Sequence, residues 1–546
     1  TFGENYTFTL TDDVEFTFTD DASTDNANPT HTLNINGTVV SGSIDGSVAK
    51  RRITFGSEHE VVIGQNADFS SWQGDITITG DNTNSRTSPY GVTVNGPLNT
   101  RGLDMSGVSS LIINTTGSVL ASGSGSSSGQ EVRTTGTGKV VVKTSNSSSG
   151  SFMAKSASHT VNISFQRSLD KTNGNSATEW TLIGVPVAGE TLADLESEGK
   201  LAINGSKVGL GYFDNATGQW TTYTTGASVT LTQMKGYHAT PANSGTSITL
   251  EGTMLQSGWN TYSVNIESGD NGNWALVGNP FPTYLRMTDD ASGGGGTNDF
   301  LSDNLTGNAV DNSSFAAVYA WDGEQYVPYT QLTNSKNYIA PGEGFFIYLK
   351  DGSSSRNVRF RESYQVVAQG ANFNSSLAKG AEVNERTILE LGIKSIVGNQ
   401  SDKTKIFFSE DATVGLDPGQ DLGKFPFGSG TYLSTKLVNG DHKEINYMWQ
   451  DLPINEINNT IVPLNISSKN DELILSVNES NLSELINLFI EDKQNNTIKK
   501  FDQSIKLEYD PNQDQSDRYS LHLTDQLIPE LPTDDNLRIY KGSDSD

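Results

Sequence analysis

Cysteine is absent from the 546 residues of this chain. That excludes disulfides, thiolate nucleophiles and zinc–thiolate sites together, and suits export from a bacterium that does not cross-link its β domains. Positive charge is scarce: 36 Lys and Arg stand against 64 Asp and Glu, a formal charge of −28. An anionic surface repels phosphate and no dense Lys/Arg face offsets it, so nucleic-acid binding is not expected. No apolar run reaches the roughly 18 residues that a membrane-spanning helix needs. With Thr1 in place of Met and no signal-like segment, the chain is expected to be a mature exported protein. Its expected location is extracellular, or the outer surface of a Gram-negative bacterium.

Catalytic signatures are equally scarce. The six histidines, His31, His59, His159, His238, His442 and His522, are dispersed and form no HExxH or His-x-His pair for a catalytic zinc. "GSSSG" at Gly125 to Gly129 satisfies the nucleophile-elbow pattern but lies in a Gly/Ser run without a strand-to-helix context. "TGTGKVVV" ends its turn in Gly-Lys, lacks the first Gly of a phosphate loop, and leads into a strand rather than a helix. Paired carboxylates abound, but a glycosidase pair is defined by spatial separation. The chain therefore reads as a non-enzyme.

What is present is the composition of many short strands joined by polar turns. Apolar residues make up only 34%, Gly numbers 55, and Thr, Ser and Asn recur throughout. The expected class is all-β, in several domains, because the chain is too long for one core. Residues 1–165 alternate in short segments such as "VEFTFT", "DITITG" and "GKVVVKTS", each bounded by Gly, Asn, Asp or Ser. That punctuation suits a β-solenoid of stacked coils, with a β-sandwich as the alternative.

A repeat follows. Trp180, Leu182, Gly184 and Pro186 match Trp274, Leu276, Gly278 and Pro280, each offset by 94. Further on, Tyr212 matches Tyr319 at an offset of 107, and Gly236 matches Gly344 at 108. One β module spanning 166–260 is thus expected to be duplicated over 261–365, with an insertion in the second copy around the Gly run of "DDASGGGGTNDF". Asp-to-Gly turns between aromatic strands (Asp214 to Gly218; Asp322 and Gly323) signal a hairpin in each copy. Residues 366–530 carry strand-like runs such as "TKIFFSE" and "ELILSVN" and are expected to form an antiparallel sandwich, with an acidic linker or tail over 531–546.

With these segments in view, the chain resembles the large secreted and surface proteins that Bacteroidota export through the type IX secretion system. The resemblance rests on "ISFQRSL" followed by "WTLIGVPV", then "WALVGNPFP", "YAWDGEQY" and "IAPGEGFFIY", and on "FSEDATVGLDPGQD" with "LFIEDK" and "DRYSLHL" in the C-terminal region. It implies a solenoid-like region, tandem modules and a sandwich of the kind that often precedes a sorting domain removed during export. The same architecture serves adhesins, filament or lattice subunits and enzyme appendages, so it supports fold and route more than activity.

Candidate contacts follow from the residue types. Hard cations want several oxygens, and Glu410, Asp411, Asp417 and Asp421 surround a Pro418-Gly419 turn that could gather carboxylates around Ca²⁺. Asp20, Asp21 and Asp25, and Asp303 with Asp311, are weaker clusters without EF-hand spacing. Trp72, Trp220, Trp321, Tyr326 and Trp449 are candidate platforms for sugar rings. Phe8, Phe16 and Phe18 lie in "NYTFTLTDDVEFTFT", a strand that either caps its own coils or pairs with an edge of a neighbouring subunit. The expected function is a non-enzymatic extracellular structural or adhesive protein whose partner is itself or a cell-surface glycan or protein. The alternative is a carbohydrate-binding module of a polysaccharide-utilisation system.

Overall fold

The computed structural model describes residues 7–10, 15–18, 32–35, 38–41, 52–55, 60–65, 67, 69, 72, 75–79, 90–107, 109–122, 132–145, 148–155, 160–169, 180–255, 262–266, 273–288, 299–307, 309–321, 326–330, 337–350, 356–367, 386–397, 400–425, 430–470, 472–513, 515 and 517–526. The acidic tail over 531–546 and the Asp20, Asp21 and Asp25 cluster lie outside these residues, as do the side chains of Phe8, Phe16 and Phe18. Almost every element is a strand, as the turn-rich composition predicts. Among the described residues no helix is long and apolar enough to cross a membrane.

The N-terminal strands form parallel ladders, the pairing that stacked coils require and that a purely antiparallel sandwich lacks. One ladder runs through Thr32–Ile35, Glu60–Ile63, Tyr90–Val94, Ser109–Ile113, Lys139–Lys143 and Asn162–Ser168. In-register pairing places Ile35, Ile63, Val94, Ile113, Val142 and Phe165 in one file, all buried. A second file of Ile53, Ile76, Leu103 and Val132 and a third of Leu98, Val119 and Phe152 run alongside it. Alternation along each strand sends the apolar residue inward, and stacking makes the inward residues continuous. Thr7–Leu10 and Glu15–Phe18 pair with Thr38–Ser41 and Arg52–Phe55 of the same region.

Residues 162–360 contain the duplicated module. In the first copy the strands are β1 (Asn162–Ser168), β2 (Thr181–Gly184), β3 (Lys207–Asp214), β4 (Gln219–Thr224), β5 (Gly236–Ala239) and β6 (Ser247–Thr253). In the second they are β7 (Tyr262–Asn265), β8 (Trp274–Gly278), β9 (Val318–Trp321), β10 (Tyr326–Tyr329), β11 (Gly344–Tyr348) and β12 (Asn357–Phe360). Pairing is the same in both: β2-β5-β3-β4 matches β8-β11-β9-β10, and the β1–β6 pair matches β7–β12. Each copy adds one short helix, α1 (Leu192–Ser197) and α2 (Phe300–Thr306), capped by Thr191 and Asp299 accepting from a backbone N–H in the first turn.

Register corrects one detail of the repeat. Leu210 and Gly211 pair with Ala239 and His238, while Val318 and Tyr319 pair with Ile347 and Phe346. Tyr319 therefore corresponds to Gly211 and not to Tyr212, at an offset of 319 − 211 = 108, the same as Gly236 and Gly344. The aromatic pair Tyr212 and Tyr319 is thus one residue out of register between the copies.

Close contacts group the described residues into two compact units, the second comprising those within 311–317 and 386–526. Its strands form one large mixed sheet, antiparallel except where Ser401–Ser409 runs parallel to Tyr447–Pro453. The sheet folds over a single core that includes Leu389, Ile406, Leu433, Leu464 and Leu521, a sandwich-like arrangement. Residues 311–317 complete this unit: Gly423 N–H donates to the Ser314 carbonyl, and the Phe315 ring lies where a side chain on Gly423 would project.

Candidate contact site

The repeated Trp-x-Leu-x-Gly-x-Pro segment builds the junction between the two copies. Gly184 N–H donates to the Gly342 carbonyl at 2.9 Å, and its counterpart Gly278 N–H donates to the Met234 carbonyl at 3.0 Å. Ile183 bridges Glu343 as Val277 bridges Lys235. Each contact is thus made twice with the copies exchanged, the signature of an approximate two-fold relation. The backbones approach so closely that a Cβ on Gly278 would lie 2.5 Å from the Gly184 Cα. The glycines of the motif are required by this approach.

The same junction ties the modules to the N-terminal ladders. Arg167 on β1 and Glu343 before β11 form a buried ion pair at 2.9 Å. Burial raises the Glu343 carboxyl, and Arg167 opposes that rise. "NPFPTY" docks on the last strand of the third file: Phe152 N–H donates to the Pro282 carbonyl at 2.7 Å, and Ser151 and Thr283 hydroxyls lie 2.7 Å apart. Asn279, fully buried, holds that loop by donating to the Thr283 and Ala340 carbonyls.

Over this junction lies an aromatic seam. In the first copy Phe213, Trp220 and His238 form a triad; at the equivalent ladder positions the second copy has Trp321, Tyr326 and Phe346. Trp220 packs on Phe213 at 5.4 Å and on His238 at 4.4 Å, and Trp321 packs on Tyr326 at 4.9 Å. Phe346 joins the triads, meeting Phe213 at 5.1 Å, Trp220 at 5.7 Å and Tyr326 at 5.5 Å. Trp180 stacks on the other face of His238 at 4.0 Å, so the imidazole sits between two indoles. Burial there pushes His238 down to about 4, against a hydrogen bond to the Thr221 backbone, so the ring is neutral at pH 7.

Three of the sequence candidates, Trp220, Trp321 and Tyr326, therefore converge, and each is half-buried, with one part packed and one part facing solvent. Sequence reasoning missed Trp180, Phe213, His238 and Phe346 as members. For His238 and Phe346 the signal was the repeat offset, since they are 346 − 238 = 108 apart. Trp72 belongs to the core of the N-terminal ladders, and Trp449 packs edge-on to Phe407 in the second unit, away from any such cluster among the described residues.

The acidic loop of the second unit is occupied by its own backbone. Asp421, fully buried, accepts from Asp417 N–H at 2.6 Å and from Asp451 N–H at 2.8 Å. Asp417 accepts from the Thr413 N–H and hydroxyl, while Glu410 and Asp411 are exposed. Burial pushes Asp421 up to about 8. Among the described residues no three His, Asp or Glu side chains are placed to hold one metal ion. Of the weaker pair, Asp303 is bound by Arg361 and Asp311 accepts from the Ser313 and Phe315 N–H groups.

Comparison with family models, with curated proteins and with solved structures finds no match to this chain.

Proposed function

We propose that the chain is a non-enzymatic structural or adhesive protein of the bacterial outer surface, exported by the type IX route suggested by its motifs. The supporting observation is strand β1. It closes the parallel ladder through Lys139–Lys143 and is also the first strand of the module, antiparallel to β6. One core runs without a break from Ile35 in the ladders to Met254 at the end of the first copy. A flexible linker would let the modules move independently; a shared strand makes ladders and modules one stiff body suited to contact. Electron microscopy of the native material, with and without a calcium chelator, tests this. Ordered filaments or sheets support an assembly subunit, and their loss on chelation supports bound Ca²⁺; isolated particles in both conditions count against assembly.

The aromatic seam favours a second reading, a carbohydrate-binding surface. Half-exposed rings held by other rings offer flat apolar faces at little entropic cost, the usual platform for a sugar face. Glycan-array binding that disappears in Trp321→Ala, with unchanged thermal unfolding, supports it. Binding that survives this substitution sinks it.

A further inference from the structure

Buried ion pairs favour arginine, whose guanidinium keeps its proton and meets a carboxylate with a flat fork of donors. Among the described residues three ion pairs have both side chains nearly buried. Arg167 with Glu343 and Arg518 with Asp492 follow the preference. The third, Lys424 with Asp402, departs from it, although its side chains are only 10% and 13% exposed. Lysine differs from arginine in one chemical respect: it can give up its proton and become a nucleophile, and burial promotes that loss. Burial lowers Lys424 from its ordinary value, and Asp402 opposes the fall.

The groups around this pair are placed for reaction. Asp402 stands on the strand Ser401–Ser409, and Lys424 directly follows the short strand Leu422–Gly423. Lys424 Nζ lies 2.9 Å from Oδ1 and 2.8 Å from Oδ2 of Asp402. An atom that near to both oxygens of one carboxyl is about 3 Å from the carbon between them, the separation of a near-attack pair. Two backbone groups hold the partners there. Leu433 N–H donates to Oδ2 at 2.7 Å, the position from which a fixed donor stabilises a developing oxyanion. Nζ also donates to the Lys403 carbonyl at 3.0 Å, which orients the amine.

We propose that Lys424 and Asp402 condense into an isopeptide bond, a covalent staple that encloses the acidic loop between them in a ring. Proton transfer from Nζ to Oδ1 first turns the ion pair into an amine and a carboxylic acid, which a buried site favours over two charges. The Nζ lone pair then attacks Cγ, and Leu433 N–H stabilises the charge that develops on Oδ2. A proton passes from the nitrogen to Oδ1, the Cγ–Oδ1 bond breaks, and that oxygen leaves as water. One amine and one acid become one amide and one water, so no oxidant, cofactor or second protein is needed. The product also relieves the site, since a neutral amide replaces two buried charges. In a chain without cysteine, this bond supplies the cross-link that a disulfide makes elsewhere.

The mass of the intact, denatured full chain tests this, followed by mapping of its tryptic peptides. The wild type is expected to weigh one water less than its sequence. Its digest is expected to contain a branched peptide joining the segments of Asp402 and Lys424, with no cleavage after Lys424. Lys424→Arg keeps the charge but not the nucleophile and is expected to show the full sequence mass. The decisive measurement is made on the wild type, so a variant that fails to fold does not blunt it. A wild-type mass equal to that of the sequence overturns the bond, and so does a water lost at any other residues. Neither result bears on filaments or glycan binding, which are read by imaging and by the array.

Discussion

Met234 and Gly342 occupy the same turn in the two copies of one module, with φ of 67° and 65°, yet only one is glycine. Backbone conformation alone favours glycine at both. The difference is a neighbour: a Cβ on Gly342 would lie 2.4 Å from the Phe165 ring, and Phe165 belongs to the N-terminal ladder. In the first copy the equivalent Met234 packs against the core of the second copy. Duplication thus supplied two identical frames, and what each frame touches decided how far its sequence could drift. The triads show the same: His238, between two indoles, stands where the second copy has Phe346.

Four single substitutions and one double variant probe this contrast, in order of expected effect. Gly342→Met, the first copy's residue in the second, should destabilise the first unit by about 4 kcal/mol or more, since strain and overlap with Phe165 add; calorimetric unfolding measures it, and a loss near that of an ordinary surface change would remove the ladder as the cause. Arg167→Ala leaves Glu343 buried and unpaired and should cost about 3–5 kcal/mol, whereas the double change Arg167→Met with Glu343→Met should be nearly neutral. In His238→Phe the pH dependence should change. His238 in the folded chain titrates near 4, below its ordinary value of 6.5, so its contribution is complete above pH 6.5 and lost as pH falls toward 4. The variant should lose less stability than the wild type over that window in urea titrations at each pH. Last, Met234→Gly should stabilise by about 1 kcal/mol by relieving positive φ, read by the same calorimetry; a loss of stability would show that side-chain packing outweighs the strain.

Much of this was legible in residue order. Strand alternation, Gly and Asn turns and the repeated Trp-x-Leu-x-Gly-x-Pro are local signals, and they led to the all-β class, the duplication and the insertion, which the constant offset after α2 now confines to residues 281–299. Residue type alone marks Trp220, Trp321 and Tyr326 as candidate contact residues, and the ladders set them in one seam. The Asp417–Asp421 loop shows the opposite case. Its carboxylates have the composition of a calcium loop, but the nearest partners of Asp421 are two backbone N–H groups, one of them on Asp451, thirty residues away in the chain. No spacing rule reaches that far.

Sequence by itself therefore determined that this chain is a many-stranded β protein with a module used twice, because strand period and turn chemistry are fixed within a few residues. Tertiary structure alone decided why the motif glycines cannot change, that burial between two indoles keeps His238 neutral, and which partners hold the Asp421 carboxylate. Those depend on distances between residues far apart in the chain, here Gly184 to Gly278, Phe165 to Gly342 and Arg167 to Glu343, and such distances exist only once the strands have stacked.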